Sequence, residues 1–300
     1  MVTARVPATS ANLGPGFDLL GLALPLYNRL TLAEAERFEI VNHGPEAAGL
    51  PTHERHMAYR AAKALCECIG KPVPTWRLEM EVNIPQSRGL GSSSAAIVSG
   101  LVAANGWFGS PLDTEALLSI ATQIEGHPDN VGPALYGGVT AAFTQDNVTR
   151  CLVLAKSAPT ALVLAVPDFK LSTAEARRAL PAQYGRSDVV ANLASVTILT
   201  TVMLTGAVEW LPYGLNDRIH QPYRLPLIKG AEAVTHAARA AGAWGAVISG
   251  AGPTLLAMVP PTAAEAVAEA MTAAWRAEGV ASRSLVFTAL ASGACIEPPG

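Results

Sequence analysis

Short apolar runs and longer amphipathic ones take turns along this chain. In its first half, residues 4–7, 29–35 and 37–42 read as strands, 53–69 as a helix, 76–84 as a strand and 92–107 as a helix. Residues 114–125 predict a further helix, stopped by Gly126, and 137–143 a strand entered through two glycines. The pattern resets near residues 156–159. A strand at 161–166, a helix at 173–180, a long apolar helix at 189–204 and a helix at 227–241 follow. Strands at 245–249 and 255–259, split by a glycine loop, precede a helix at 263–277 and a last strand at 282–288. No repeat or low-complexity linker interrupts this order. The pattern predicts an α+β chain in two halves, 1–155 and 156–300.

Composition narrows the function classes. Half of the 300 residues are hydrophobic and 15% are charged, enough for a sizeable core and unlike a disordered chain. A net charge of −3 with no long basic run argues against nucleic acid or an anionic membrane as partner. Apolar stretches such as 161–166 have strand length, well short of a membrane span, and the first five residues carry no signal-peptide pattern. A soluble, cytoplasmic protein is expected. Cys66, Cys68, Cys151 and Cys295 show no C-x-x-C spacing, so neither zinc nor a disulfide framework is expected. His53 and His56 stand a turn apart without other ligands nearby and read as an exposed helix start.

Chemistry concentrates in a few loops. The run Pro85-Gln86-Ser87-Arg88-Gly89-Leu90-Gly91-Ser92-Ser93-Ser94-Ala95 leaves a strand and enters an apolar helix. Glycines allow close backbone approach, and the first turn of a helix offers unpaired N–H groups at its positive end, which suits phosphate. It is neither a Walker A loop nor G-x-G-x-x-G. One serine can cap the helix while another faces a nucleotide or its Mg²⁺. The loop from Pro7 to Asp18 follows a strand and holds Asn12 and Asp18, able to bind a hydroxyl or ammonium or simply to form Asx turns. Glu125-Gly126-His127-Pro128-Asp129-Asn130 presents either a metal-binding carboxylate with a substrate-facing amide or a helix stop and restart. Ser249-Gly250-Ala251-Gly252-Pro253-Thr254 reads as a hairpin turn, and Arg177, Arg178, Arg218 and Arg224 are candidates for gripping a carboxylate.

Taken in order, the Ser10-to-Asp18 loop, the Pro85-to-Ala95 turn and the late Ser249-to-Thr254 loop resemble those of the GHMP small-molecule kinases. The flanking segments 6–18, 126–131 and 219–224 are similar to the branch whose acceptor is L-homoserine, and the resemblance spans nearly the whole chain. It implies a two-domain GHMP kinase fold: an N-terminal domain like ribosomal protein S5, a C-terminal ferredoxin-like α/β sandwich, and an active site in the cleft between them. It implies transfer of the γ-phosphoryl of ATP, with Mg²⁺, to a small alcohol.

Residue by residue, the resemblance places Pro85 to Ala95 at the ATP phosphates, with backbone N–H groups from Gly89 to Ser93 holding them and Ser92 and Glu125 placing Mg²⁺. It assigns Asn12 and Asp18 to the amino and hydroxyl end of the substrate and places His127 and Asn130 in the substrate-binding turn. Thr173, Arg177 and Arg224 fall on the side of its carboxylate, and Gly250 and Gly252 close the site. Asn130 stands where related kinases carry an Asp able to act as general base, so the reaction is expected to proceed without a strong side-chain base, Asp18 or Asp129 being the alternatives. Gln221 replaces a glutamate usual before the second arginine. A homodimer is also implied. The competing readings are another GHMP kinase, of mevalonate or sugar type, and a non-catalytic protein using the same cleft for binding.

Overall fold

Residues 1–298 are described by the structure, a computed structural model. Strands β1 (Val2–Ala11) and β2 (Leu20–Glu34) form a long antiparallel pair. Ala4, Val6 and Ala8 of β1 and Leu30 and Leu32 of β2 face one core, as period-two alternation requires. Strand β3 (Glu39–His43), helix α1 (Met57–Cys68) and strand β4 (Trp76–Glu81) form a crossover unit in which β3 runs parallel to β4. Next come α2 (Ser92–Trp107), α3 (Thr114–Glu125), α4 (Val131–Tyr136) and the hairpin of β5 (Val139–Gln145) and β6 (Val148–Ala155). Helix α2 carries no charged residue and is buried on most of its surface, the pattern of a core helix.

The second half opens with β7 (Ala161–Pro167) and helices α5 (Thr173–Arg178), α6 (Arg186–Thr205), α7 (Leu211–Gly214), α8 (Gln221–Arg224) and α9 (Ala231–Ala240). Strands β8 (Gly245–Ile248) and β9 (Leu255–Val259), helix α10 (Ala264–Ala277) and strands β10 (Ser282–Phe287) and β11 (Cys295–Glu297) complete it. The sheet order β10-β7-β9-β8, antiparallel throughout, is that of a ferredoxin-like fold. Both faces of this sheet are covered. Leu162, Leu164, Val166, Leu256 and Met258 join the core of the first sheet, while Ala161, Val163, Ala165, Leu255 and Ala257 pack under α9 and α10. That two-sided burial explains why β7 reads as an unbroken apolar run. The chain end crosses back, β11 pairing with β1 at Thr3–Glu297.

Several expectations need correction. Strand β1 does not stop at residue 7 but runs to Ala11, where Thr9, Ser10 and Ala11 pair with β2. Its last residues are buried on both faces with hydroxyls among them, so no alternation marks them. Strands β6 and β11 and the short helices α4, α7 and α8 were not expected. Helix α6 has 20 residues, and an 18-residue window within it has a mean hydropathy of 1.5, long and apolar enough to cross a membrane by length and composition; it extends the long apolar helix read at 189–204 at both ends. It docks through Asn192, whose Nδ2 donates to Pro15 O at 2.9 Å and whose Oδ1 accepts from Arg218 N. His56 is buried, not exposed. Its Nδ1 caps α1 at Ala58 N, which leaves Nε2 as donor to Asn42 Oδ1, and burial lowers its pKa to about 4.

Candidate active site

Gly89 and Gly91 adopt φ of +72° and +66°. A Cβ on Gly89 would lie 2.1 Å from Ser249 O, and one on Gly91 would lie 1.9 Å from Thr9 Oγ1. Only glycine fits either place. Gly91 precedes α2, no side chain caps that end, and Gln86 to Ser93 line a cavity of about 300 Å³. The helix thus presents its unpaired first-turn donors beside an open space. Pro85, Ser94 and Ala95 lie buried behind this wall. No serine acts as the expected cap. Ser93 and Ser94 instead donate to the two oxygens of Glu125, at 2.8 and 2.9 Å, while Ser92 lines the cavity. Arg88 ties the loop to the end of β7: Nε and Nη2 donate to Pro167 O and Asp168 O at 2.8 and 2.6 Å, while Nη1 donates back to Gln86 O at 3.1 Å. Gln86 donates to Glu46 O.

Across the cavity, Asn12 and Asp18 both take left-handed backbone, φ +71° and +53°, a strained choice for non-glycine residues. Asn12 Oδ1 accepts from Asp18 N at 3.0 Å, closing the loop across six residues rather than forming the two-residue Asx turn weighed from sequence, and its Nδ2 donates to Gly250 O at 2.7 Å. Asn12 and Asp18 also line the cavity. Arg177 on α5 donates to both oxygens of Asp18, at 3.1 and 3.0 Å, and Thr173 starts the same helix on the cavity wall.

The turn after α3 is tightly organised. Thr9 Oγ1 donates to Asn130 Oδ1 at 2.7 Å, and His127 Nδ1 pairs with the buried Asp129. Burial pulls the His127 pKa down, but the hydrogen bond and charge of Asp129 outweigh it, and the net shift is upward. Arg224 is 2% exposed, and among the described residues no carboxylate forms an ion pair with it. Its Nε donates to Ala176 O at 3.2 Å, its guanidinium lies 5.0 Å over the Phe17 ring, and Nη1 meets His220 Nδ1 at 3.3 Å. Burial, then the Arg177 charge, lowers its pKa. His220 is held to about 4 by burial, and its Nε2 donates to Gly14 O, which leaves Nδ1 as acceptor toward Arg224. Gln221, standing for the usual glutamate, does not orient Arg224; its Oε1 accepts from Ile248 N at 2.7 Å. Gly250 and Gly252 line the same cavity, whereas the exposed Arg218 does not.

One cavity thus gathers most of the candidates, with an apolar end built from Leu50, Pro51, Met57, Met80 and Val82. Sequence reasoning missed that end, because its residues come from a loop, the end of one strand and a helix start, none with a local signature. It also missed His220, Thr9 and Ser249, which act through other residues. Among the described residues no cluster of three or more His, Cys, Asp or Glu could by itself hold a metal. Glu125 with serine hydroxyls offers hard oxygen donors, the kind Mg²⁺ uses when phosphates and water complete its shell.

Known proteins share this frame. The family of GHMP kinases N terminal domains matches residues 56–138, and that of GHMP kinases C terminal domains matches residues 206–277. A homoserine kinase of Synechococcus sp. is 48% identical over 299 residues, covering 99% of this chain and 98% of its own, and that of Gloeobacter violaceus is 50% identical, covering 90% and 92%. The crystal structure of homoserine kinase from Cytophaga hutchinsonii superposes with a TM-score of 0.89 at 29% identity, covering 99% of this chain and 97% of that one. A mevalonate kinase structure, 13% identical with a TM-score of 0.71 over 97% and 99% of the two chains, shares the fold alone. The chain belongs to the GHMP kinase family, among its homoserine kinases.

Proposed function

We propose that this protein transfers the γ-phosphoryl group of ATP to the side-chain hydroxyl of L-homoserine, giving O-phospho-L-homoserine on the way to threonine. The observation that carries this reading is the single cavity joining the glycine loop before α2 to the buried, carboxylate-free Arg224. A phosphate cradle and a waiting cation at its two sides suit a phosphoryl donor and a small acid carrying the acceptor hydroxyl. The first-turn N–H groups of α2 hold the phosphates, and the apolar end by Leu50, Met57 and Val82 takes the adenine. Glu125 and Ser92 hold Mg²⁺, which neutralises phosphate charge when bound. Arg177 and Arg224 grip the α-carboxylate, and Asn12, Asp18, His127 and Asn130 orient the amino and hydroxyl end.

Among the described residues, each candidate base at the acceptor side of the cavity is already engaged. Asn130 is an amide whose oxygen already accepts from Thr9, Asp18 is held by Arg177, and Asp129 is held by a His127 whose raised pKa favours the protonated form. The hydroxyl oxygen therefore attacks the γ-phosphorus as the bond to the leaving ADP oxygen breaks, and its proton passes to an oxygen of the transferred phosphoryl group. Such transfer depends mainly on positioning and charge neutralisation. A near-total loss of kcat in Asp18→Asn at unchanged homoserine affinity would overturn this part.

ADP release coupled to a reporter, measured with L-homoserine, mevalonate and galactose, tests the assignment. Turnover with L-homoserine alone is expected; turnover with another alcohol, or with none, sinks it. The protein is further inferred to act in the cytoplasm as a homodimer. Support for the dimer comes from α6, where Val190, Leu193 and Leu204 are each 59% exposed and no charged residue occurs between Asp188 and Glu209. An exposed helix face so free of charge suits a matching face on a second copy.

A further inference from the structure

The pairing of Asp18 with Arg177 has a geometry that bears on which alcohols this cavity accepts. Asp18 sits in the turn between β1 and β2, and its position is fixed: its N–H is held by Asn12 Oδ1, and Asn12 is in turn anchored on Gly250 O. Arg177 is different. It extends from the six-residue helix α5 on a long flexible side chain, and both partners remain more than a third exposed, 39% for Arg177 and 36% for Asp18. An ion pair this open to solvent separates at little cost. Behind it lies the buried Arg224, which among the described residues has no carboxylate partner, on the wall of the same cavity.

Opening the pair exposes an anion and a cation at once on the cavity wall. Each then needs a counter-charge. A zwitterionic amino acid satisfies both: its ammonium takes the place of Arg177 at Asp18, and its carboxylate takes the place of Asp18 at Arg177, with Arg224 as a second donor. One ion pair becomes two. A hydroxy acid without the amino group satisfies Arg177 but leaves Asp18 unpaired beside a second carboxylate. An amino alcohol without the carboxylate leaves Arg177 unpaired near Arg224. Resting on the homoserine reading above, we propose that the Asp18–Arg177 ion pair is itself a specificity element, exchanged for two pairs by a zwitterion and held closed against acceptors that carry a single charge. Discrimination of this kind works through the partner left uncompensated, so it needs no steric exclusion.

The exchange makes an asymmetric prediction that a simple list of substrate contacts does not. Removing one member of the pair frees the other for a ligand of the matching single charge. Calorimetric titration of wild type, Asp18→Asn and Arg177→Gln with L-homoserine, 4-hydroxybutanoate and 3-aminopropan-1-ol tests it. Both variants are expected to lose homoserine affinity. Asp18→Asn is expected to bind 4-hydroxybutanoate about fivefold more tightly than wild type does, the upper range for freeing an exposed pair, and Arg177→Gln to gain similarly for 3-aminopropan-1-ol. Circular dichroism and thermal unfolding of both variants check that each is folded, and two substitutions on opposite partners keep the test alive if one fails to fold. If the wild type phosphorylates L-homoserine but neither variant gains affinity for its matching single-charge ligand, the exchange is wrong and the homoserine reading stands. If the wild type neither binds nor phosphorylates L-homoserine, the homoserine reading falls first.

Discussion

Gly89 and Ser249 lock the two glycine loops of the cavity together. The Ser249 hydroxyl donates to Gly89 O at 2.6 Å, its oxygen lies 2.8 Å from Ser10 Oγ, and a Cβ on Gly89 would meet Ser249 O at 2.1 Å. The phosphate loop of the first half is therefore held by a strand end of the second half and by β1 at once. Thr9 N to Leu90 O at 3.2 Å and Gly250 N to Ala11 O at 3.0 Å continue the same seam.

Substituting Gly89→Ala should break this seam. The added methyl collides with backbone rather than with a side chain, and its φ of +72° adds strain. A loss of about 2–3 kcal/mol in stability is expected, with a weaker ATP affinity in whatever remains folded. Thermal unfolding and nucleotide titration read the two effects; an unchanged melting temperature would contradict the seam.

Glu125→Gln removes the charge but keeps an oxygen and an amide within reach of Ser93 and Ser94. Turnover should fall about 10²-fold or more, with the remaining rate needing a higher Mg²⁺ concentration. Ser93→Ala, which deletes only a hydroxyl partner of Glu125, should cost far less. Rate against Mg²⁺ concentration separates the two, and equal losses would place Glu125 in a purely structural role.

Three histidines set opposing pH dependences. Burial holds His56 and His220 to about 4, below their ordinary value of 6.5. The unfolded chain therefore takes up protons that the folded one refuses, and stability present above pH 6.5 is lost as pH falls, roughly 2 kcal/mol per histidine by pH 5. His127 is raised, so its contribution is full below its ordinary value and is lost as pH rises through the folded value. Urea unfolding at pH 7 and pH 5 should show lower stability at pH 5. His56→Asn, which preserves a helix cap, should narrow the difference; an unchanged difference would remove His56 from this account.

The uncharged outer face of α6 gives a further test. Leu193→Lys places a charge at a position 59% exposed, where a monomer would barely register it. Light scattering should show a dimer in the wild type and a shift to monomer in the variant at the same concentration. A monomeric wild type, or a variant that stays dimeric, would move the interface elsewhere.

Much of the site can be read in the amino-acid sequence, because its loops are contiguous. The glycine-serine turn before α2, Glu125 with the His127-to-Asn130 turn, and the Ser249-to-Thr254 hairpin each owe their shape to local rules of glycine, capping and helix ends, which act over a few residues. The longer helices and most strands follow from periodicity for the same reason, whereas the short α4, α7 and α8 do not. Tertiary structure alone decided which groups meet. Nothing near Asp18 in sequence announces Arg177, 159 positions away, and nothing near Gly89 announces Ser249, 160 positions away. It also decided that Ser93 and Ser94 serve Glu125 instead of capping α2, that Arg88 holds the end of β7, and that β1 continues through Thr9 and Ser10. Each of these outcomes depends on hydrogen bonds and buried faces supplied by distant segments. Local pattern determines which shapes a segment can take, and only packing between segments determines which partners satisfy its polar groups.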